Sequence, residues 1–293
     1  MCGNWSRSER AGGDGTPAGW RASLDLAYRR EGGATRVRAR HQGPLRLLRS
    51  LYPEGPSVCH DVLIHPPGGL VGGDRLEIAI HAGPGSHALV TTPGATRFYR
   101  SEGAIARQSV RIALEEDARF EWLPQETLCY SGCLADNRLA LSLAPGAQLL
   151  GWDVVALGLP AAGQPFARGR LRQSIAWPGA WLEQGTMNAR DGRLMDGPLG
   201  LAGHRCLATL FWLCATAPAR AERDHALDLA RACIDASALS ASAGATALAP
   251  GVVVVRALAP LTEPAMALLH QIWKTWREAL WRMPAEAPRI WAT

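Results

Sequence analysis

The sequence predicts a mainly β protein with a stacked, solenoid-like (β-helical) strand body and a small C-terminal α/β part that carries two helices. Three observations indicate this fold class. Apolar and polar residues alternate with a period of two along most of the chain, as in LEIAIHA, which is typical of half-buried strands. Strand–turn–strand units recur at a spacing of about 30 residues. Helical spacing of apolar residues begins late, after about residue 219.

The repeated unit starts with GSHALV at Gly85, DARFEW at Asp117 and GAQLLG at Gly146. Successive copies are therefore offset by 32 and 29 residues. A period of this length is typical of β layers that stack on one another. A β-sandwich with regular hairpins produces nearly the same pattern, so the repeat by itself leaves both architectures open.

Further strands are predicted over RGRLRQSIAW, AWLEQGTMNA and RCLATLFWLCA. The spacing of apolar residues then becomes helical in AERDHALDLARACIDASAL and TEPAMALLHQIWKTWREALW. Between these two segments, GVVVVRALAP is predicted to be a buried strand. Thr262 is positioned to cap the second helix, and Pro264 fits its first turn.

The chain is expected to form one integrated unit over residues 21–293, because no linker interrupts the pattern. Its β body covers about 21–218 and its helix-containing part about 219–293. Residues 1–20 are rich in Gly, Ser and charge, which predicts a flexible tail and not a signal peptide.

Composition excludes several function classes. The net charge is +5, but the arginines are scattered without a run of five, which argues against a nucleic-acid partner. No segment approaches the ~18 apolar residues that span a bilayer, so no membrane partner is expected. Seven cysteines, an odd number spread along the chain, do not form a disulfide framework. These features predict a cytoplasmic protein.

The stretch HPPGGLVGGDRLEI, which begins at His65, holds four glycines and two prolines. It is not a phosphate-binding loop, because Asp74 and Arg75 follow the last glycine where such a loop needs Lys and then Ser or Thr. The paired glycines permit positive φ angles or close approach of backbones. The stretch therefore predicts a tight corner between two strands.

Metal-binding residue types surround this corner: Cys59, His60, Asp61, His65 and Asp74. They are ligands of nickel, zinc and copper, so a metal-dependent hydrolase that uses the cluster near residues 59–74 is the alternative function. Such an enzyme would hold its metal tightly. His60 and His65 face opposite sides of a strand, however, and no catalytic signature motif is present. A carbohydrate-binding solenoid would need an aromatic ladder at the repeat spacing, which the tryptophans do not form.

Two polar segments, TTPGATRFYRS and EWLPQET, interrupt the strands. They predict either exposed loops or a polar channel or partner surface, since buried polar groups need partners. Cys129 and Cys133 form a C-x₃-C pair beside the second segment. Without a second pair at matching spacing, we interpret them as structural or incidental.

Five motifs together resemble the urease accessory protein family UreD, also called UreH: HPPGGLVGGDRLEI, TTPGATRFYRS, EWLPQET, LLGWDVVALGLP and the closing PRIWAT. The likeness runs in order from about Arg21 to Thr293. It implies a largely β solenoid-like body and a maturation chaperone without turnover of its own. Cys129 and Cys133 are not part of the family pattern.

The resemblance also implies partners and a metal. Family members bind the urease apoprotein and UreF directly, and reach the GTPase UreG through UreF. They are thought to pass nickel toward urease through an internal polar passage. The resemblance points to a dimer of heterodimers with UreF. No tightly bound cofactor is expected, only Ni²⁺ in transit.

Candidate residues follow from these expectations. The candidate nickel path consists of acidic and histidine positions in or near the matched motifs: His60, Asp61, Asp74, Glu121, Glu126, Asp153 and Glu183. Carboxylates suit brief metal contact, since strong chelation would trap the ion. Candidate partner-binding residues are Trp273, Trp276 and Trp291, for which core packing is the alternative.

Overall fold

The computed structural model describes residues 19–292, which form two face-to-face β-sheets with helices packed against the outer side of one of them. This confirms the predicted mainly β fold, with a solenoid of about four turns. Except for Gly19 and Trp20, the predicted flexible tail lies outside the described residues.

The strands are, in chain order, β1 Arg21–Glu31, β2 Ala34–Gln42, β3 Arg46–Leu47, β4 Val58–Ile64, β5 Arg75–Ala82, β6 His87–Thr91, β7 Thr96–Phe98, β8 Ala106–Leu114, β9 Arg119–Leu123, β10 Thr127–Cys129, β11 Leu134–Leu143, β12 Gln148–Leu159, β13 Gln164–Pro165, β14 Arg170–Trp177, β15 Trp181–Asn188, β16 Cys206–Cys214, β17 Ala243–Ala249 and β18 Val252–Ala259. The α-helices of the described range are α1 Gly192–Asp196, α2 Arg220–Asp235 and α3 Thr262–Trp281.

The solenoid winds alternately through the two sheets. The first sheet has the order β15-β14-β11-β8-β5-β1-β2, and its five inner strands are parallel. The second sheet has the order β17-β18-β16-β12-β9-β6-β4-β3, with β4, β6, β9 and β12 parallel. Short strands β7 and β10 pair beside β12 and form a narrow third wall. Each coil therefore crosses from the second sheet to the first.

The sequence repeat is the register of this solenoid. His87 pairs with Arg119, and Arg119 pairs with Gln148, on the parallel strands β6, β9 and β12. These positions are separated by the same 32 and 29 residues that separate the repeated units. Because successive units pair in parallel, the architecture is a stack of coils and not a β-sandwich with hairpins, in which these strands would be antiparallel.

Two apolar cores hold the layers together. Inward residues of both sheets fill the first core, including Leu76, Ile78 and Ile80 of β5, as their alternation predicts. The second core lies between the second sheet and helices α2 and α3. Burial of these side chains supplies the main free energy of folding, at roughly 25 cal/mol per Å² of apolar surface.

The C-terminal part continues the second sheet through β18 and β17, and α3 packs over that sheet. Helix α3 covers the predicted segment, Thr262–Trp281, with Pro264 in its first turn. Thr262 does not cap it, however. Leu261 occupies the N-cap position, and no side chain accepts a hydrogen bond there, because Thr262 is already the first helical residue.

The glycine-rich stretch is the corner that joins β4 to β5, as predicted. The Asp74 carboxylate stabilises it by accepting hydrogen bonds from the backbone N–H groups of Val71 (2.9 Å) and Trp20 (2.8 Å). Gly73 has φ 93°, in the region that favours glycine. A Cβ on Gly69 would lie 2.4 Å from Cε2 of Tyr99, so this position admits no side chain.

The substitution Gly69→Ala is expected to lower the free energy of unfolding by about 1–3 kcal/mol, because the added methyl overpacks the corner. Gly94→Ala is the matched control, since a Cβ there meets nothing within 4 Å and its φ is not positive. Urea denaturation of both variants measures the difference. Equal stabilities of the two variants would contradict this account of the corner.

Candidate functional site

A row of polar side chains crosses the first core, between the two sheets. We call it the interior polar row, and it consists of Gln108, Asn137, Asp153, Gln173, Glu183, Thr209 and Arg256. Register explains its formation. On the first sheet, Gln108, Asn137 and Gln173 pair side by side on β8, β11 and β14. On the second sheet, Asp153, Thr209 and Arg256 do the same on β12, β16 and β18.

Hydrogen bonds connect the two halves of the row. The Gln108 amide donates to Oδ1 of Asn137 at 3.3 Å, and Nδ2 of Asn137 donates to Oδ2 of Asp153 at 3.4 Å. Gln173 also hydrogen-bonds Asp153. Buried amides and carboxylates are costly without such partners, so the row is a satisfied polar network inside an apolar body.

The pKa of Asp153 is raised to about 6, chiefly by burial and also by the nearby negative charge of Glu183, while the hydrogen bond from Gln173 opposes the shift. The carboxyl group lies deep in the molecule and borders a small cavity, so the residue is only partly buried. A carboxyl group with this pKa exchanges its proton near neutral pH.

The row reaches the surface at Glu183. This carboxylate accepts a hydrogen bond from Thr209 at 3.4 Å and forms an ion pair with Arg256. The side chains of Glu183 and Arg256 are 33% and 43% exposed, so this end of the row is in contact with solvent.

At the other end the row meets two cavities. One, of about 20 Å³, is lined by Asn137 and Asp153 and has room for a single water. The other, of about 140 Å³, lies under the corner and the TTPGAT turn and includes His65. Thr96 and Gln108 line both cavities, so the two cavities are neighbours.

A separate buried ion network lies outside the second sheet, beneath α3. Arg277 forms a bidentate pair with Glu54, at 3.1 and 2.8 Å, and an ion pair with Glu121 at 3.4 Å. His60 lies 2.6 Å from Glu54, and His87 lies 2.9 Å from Glu121. Burial would raise the pKa of Glu54, but the hydrogen bonds from His60 and Arg277 bring it below its usual value. The network joins α3 to the solenoid.

The candidate nickel-path residues occupy several places. Asp153 and Glu183 belong to the interior polar row. Asp61 is also interior, but it lies on the first coil, where its carboxylate accepts hydrogen bonds from Tyr28 (2.7 Å) and Ser50 (2.6 Å). Burial raises the Asp61 pKa, against the effect of these two bonds.

The other four candidates lie away from the row. His60 and Glu121 belong to the buried ion network, and Asp74 holds the corner. Glu126 lies in the turn before β10 and lines a groove on the outer surface together with Cys206. The structure therefore brings together two pairs of the seven candidates: Asp153 and Glu183 in the interior polar row, and His60 and Glu121 in the buried ion network.

The cluster near residues 59–74 does not converge on one point. His60 faces α3, while Asp61 faces the first core, because neighbouring strand residues point to opposite sides. Burial raises the Cys59 pKa to about 12, so its thiol stays protonated. Within residues 19–292, no group of three or more His, Cys, Asp or Glu side chains is arranged to hold a metal ion. The metal-dependent hydrolase alternative has no support here.

The candidate partner-binding tryptophans lie in the second core. Trp273 and Trp276 are fully buried, and their indole N–H groups donate to Glu121 (2.7 Å) and to the backbone carbonyl of Ala226 (2.9 Å). Trp291 is partly buried and stacks on His270 with ring centroids 4.5 Å apart. Core packing, the alternative for these residues, is what the structure shows for Trp273 and Trp276.

Comparison with known proteins assigns the chain to a family. The family model described as UreD urease accessory protein matches residues 21–292. The chain belongs to the UreD urease accessory protein family. Relatives named urease accessory protein UreD include that of Paracidovorax citrulli (strain AAC00-1), which is 62% identical over 273 residues, or 93% of this chain and 99% of the relative. The relative from Variovorax paradoxus (strain S110) is 58% identical over 274 residues, with 94% and 99% covered.

In this UreD-family chain, sequence reasoning missed the amides of the row. Gln108 and Asn137 are separated by 29 residues, the same spacing as one of the repeats, and both occupy inward positions of their strands. Polar residues at the repeat spacing and at inward positions are the signal that could have found them. Glu54 and Arg277 gave no such signal, because 223 residues separate them.

Cys129 and Cys133 are both buried in the first core. The Cys129 thiol donates a hydrogen bond to Cys133, which raises the pKa of Cys129 and lowers that of Cys133. Among the described residues, no helix has the length and apolar character needed to cross a membrane.

Asp153→Asn is expected to change how stability depends on pH. The folded-state pKa of about 6 lies above the ordinary 3.8, so the protonated carboxyl stabilises the folded protein. This contribution is complete below the ordinary value and is lost as pH rises through about 6. The stability of the wild type relative to the variant should therefore fall by roughly 2 kcal/mol between about pH 4 and 7. Urea unfolding at several pH values measures it, and a difference independent of pH would contradict the shift.

Arg277→Met is expected to lower the free energy of unfolding by about 3–5 kcal/mol, because it leaves Glu54 and Glu121 buried without their cation. Lys274→Met is the matched control on the exposed side of α3 and should change stability by less than about 0.5 kcal/mol. Chemical denaturation compares them. Similar unfolding midpoints would show that the ion network does not stabilise the junction of α3 with the solenoid.

Proposed function

We propose that this protein is a urease maturation chaperone that binds the urease apoprotein and UreF, reaches UreG through UreF, and helps to deliver nickel to the urease active site. The proposal rests on membership of the UreD urease accessory family over residues 21–292. The structural observation that supports the nickel-path part is the interior polar row, a line of amides and carboxylates through the apolar first core.

The chemistry of the row suits a metal in transit. Its donors are carboxylate and amide oxygens, with no thiolate or imidazole among its seven members. Oxygen ligands hold a borderline metal such as Ni²⁺ more weakly than a cage of Cys and His would. Asp153 and Glu183 would supply the negative charge, and the two cavities near Asp153 would admit water. Nickel is the cargo in this proposal, and no resident cofactor is required.

The path would run between the glycine-rich corner and the exposed end at Glu183. The corner and the TTPGAT turn border the larger cavity, and the smaller cavity, which borders Asp153, shares Thr96 and Gln108 with it. Asp61 lies outside this line, on the first coil, and would act only if the path branched there. We further propose a cytoplasmic complex, assembled as a dimer of heterodimers with UreF.

Asp153→Ala and Glu183→Ala are each expected to lower urease activation at least tenfold. The assay uses apo-urease, UreF, UreG, nickel and GTP, and co-purification with UreF and urease is measured in parallel. Both variants should still form the complex, because Asp153 is interior and Glu183 is the one carboxylate of the row at the surface, where it is only 33% exposed.

Glu126→Ala is the comparison variant, since it removes a carboxylate of similar size from the outer surface. It should activate urease within about twofold of the wild type. Normal activation by both Asp153→Ala and Glu183→Ala, with complexes intact, would reject the interior path but not the family role. Failure of the wild-type chain to co-purify with UreF and urease would reject the chaperone function itself.

A further inference from the structure

The outer side of the first sheet, which faces away from the second sheet, carries a concentration of positive charge. Ten arginines project from it on six neighbouring strands. We call this surface the arginine face, and it is defined by Arg21, Arg29, Arg38, Arg40, Arg75, Arg107, Arg111, Arg138, Arg170 and Arg172. Successive residues of a strand point to opposite faces of the sheet. In most of these strands the residues on the other face are buried against the second sheet, so the arginines point outward. In the edge strand β2, the residues between the arginines pair with inward residues of β1, which leads to the same conclusion.

The charge on this face is not balanced by acids. Its outward positions include four acidic residues, Asp25, Glu31, Glu77 and Asp136, so the ten arginines leave these fourteen positions with a net charge of +6. The whole chain has a net charge of +5, so all other residues together carry −1. Asp136 pairs with Arg107 and Arg138. The side chains of the other eight arginines form no ion pair with any described residue.

Within residues 19–292, no helix or strand packs over the face. Helices α2 and α3 pack on the second sheet, at the opposite side of the molecule. A groove of about 650 Å³ crosses the middle of the face. Arg29, Arg38, Arg40 and Arg111 line it, and its floor is made of small residues such as Ala79. The four arginines are exposed.

We propose that the arginine face is a docking surface for an acidic, extended segment of a partner protein. The argument is charge complementarity. Arginine pairs with carboxylates through two parallel hydrogen bonds, and it is enriched in the buried centres of protein interfaces. The alanine floor lets a backbone approach closely, while the surrounding guanidinium groups reach the carboxylates of the segment. Glutamate and aspartate side chains spaced along an extended chain fit this arrangement.

Other anionic partners fit the face less well. Single-stranded nucleic acid is bound by stacking on aromatic rings, and the outward positions of the seven strands carry no Phe, Tyr or Trp. A lipid surface is broad and flat, so its headgroups would not reach the floor of the groove. Of the large apolar residues on the outward positions, only Leu182 is available to enter a membrane.

The inference goes beyond the proposed delivery of nickel, because the face and the interior polar row share no residue. Segments docked on the arginine face would leave the helical side free for another partner. The two binding events would therefore be compatible in one complex.

The test uses the full-length chain and a fluorescein-labelled octaglutamate peptide, with a Gly/Ser octapeptide as the uncharged comparison. Fluorescence anisotropy should show binding of octaglutamate that weakens with added salt, and no binding of the uncharged peptide. The triple variant Arg38→Glu, Arg40→Glu, Arg111→Glu should lose at least tenfold in affinity.

The matched control is Arg193→Glu, Arg220→Glu, Arg231→Glu, which makes the same change in net charge on exposed positions of α1 and α2. It should change the affinity less than twofold. An equal loss in both triple variants would overturn the proposal, because net charge alone would then explain the binding.

Competition distinguishes the other classes of partner. Eight-residue oligothymidylate or phosphatidylserine-containing vesicles should displace octaglutamate only weakly. Tighter binding of either at the arginine face would overturn the proposal in favour of a nucleic acid or a membrane. Sedimentation of the unliganded chain as a dimer that the arginine-face variant dissociates would overturn it in favour of a second copy.

Discussion

Parallel, in-register stacking of the coils is the constraint on which the rest of the structure depends. Each strand hydrogen-bonds to the strand one coil away, so residues about 30 positions apart in sequence become neighbours in space. Side chains on neighbouring coils therefore form rows. The apolar rows of β5, β8 and β11 fill the first core, and a one-residue shift of any coil would exchange its inner and outer faces.

The same constraint produces the polar features. Gln108 and Asn137 form a row because their strands pair in register, and Asp153 meets them from the facing sheet. Polar groups in a core lower stability unless each finds a partner, and here the hydrogen-bond donors and acceptors of the row largely satisfy one another. A solenoid core needs only apolar side chains, so stacking of the coils does not by itself require polar residues at these positions.

The helical part depends on a different interaction. Arg277 on α3 binds Glu54 from the loop before β4 and Glu121 from β9, within a fully buried network. Apolar contacts in the second core provide most of the attraction between α3 and the sheet, but they are not directional. Charged groups that have lost water need partners in good geometry, so the network favours the placement of α3 in which Arg277 meets both carboxylates.

Much of the fold was predictable because it depends on local pattern. Alternation identified the strands, the 32- and 29-residue offsets indicated the stacking, and helical spacing located α2 and α3. Thr262 shows the limit of such reasoning, since its residue type suits a cap but its position is one residue too late. Trp273 and Trp276 show another limit, because an aromatic-rich helix face has the same pattern whether a partner or the protein's own sheet covers it.

The sequence alone determined the strand-rich solenoid class, the corner formed by the paired glycines, and the family likeness, because each of these depends on residues that are close together in the sequence. The tertiary structure decided which polar residues share a site. It separated His60 from Asp61, joined Asp153 to amides on distant strands, and collected ten scattered arginines on one face. The physical reason is that contacts between side chains depend on distances in space. These distances are set by the pairing of strands from different coils, which are far apart in the sequence.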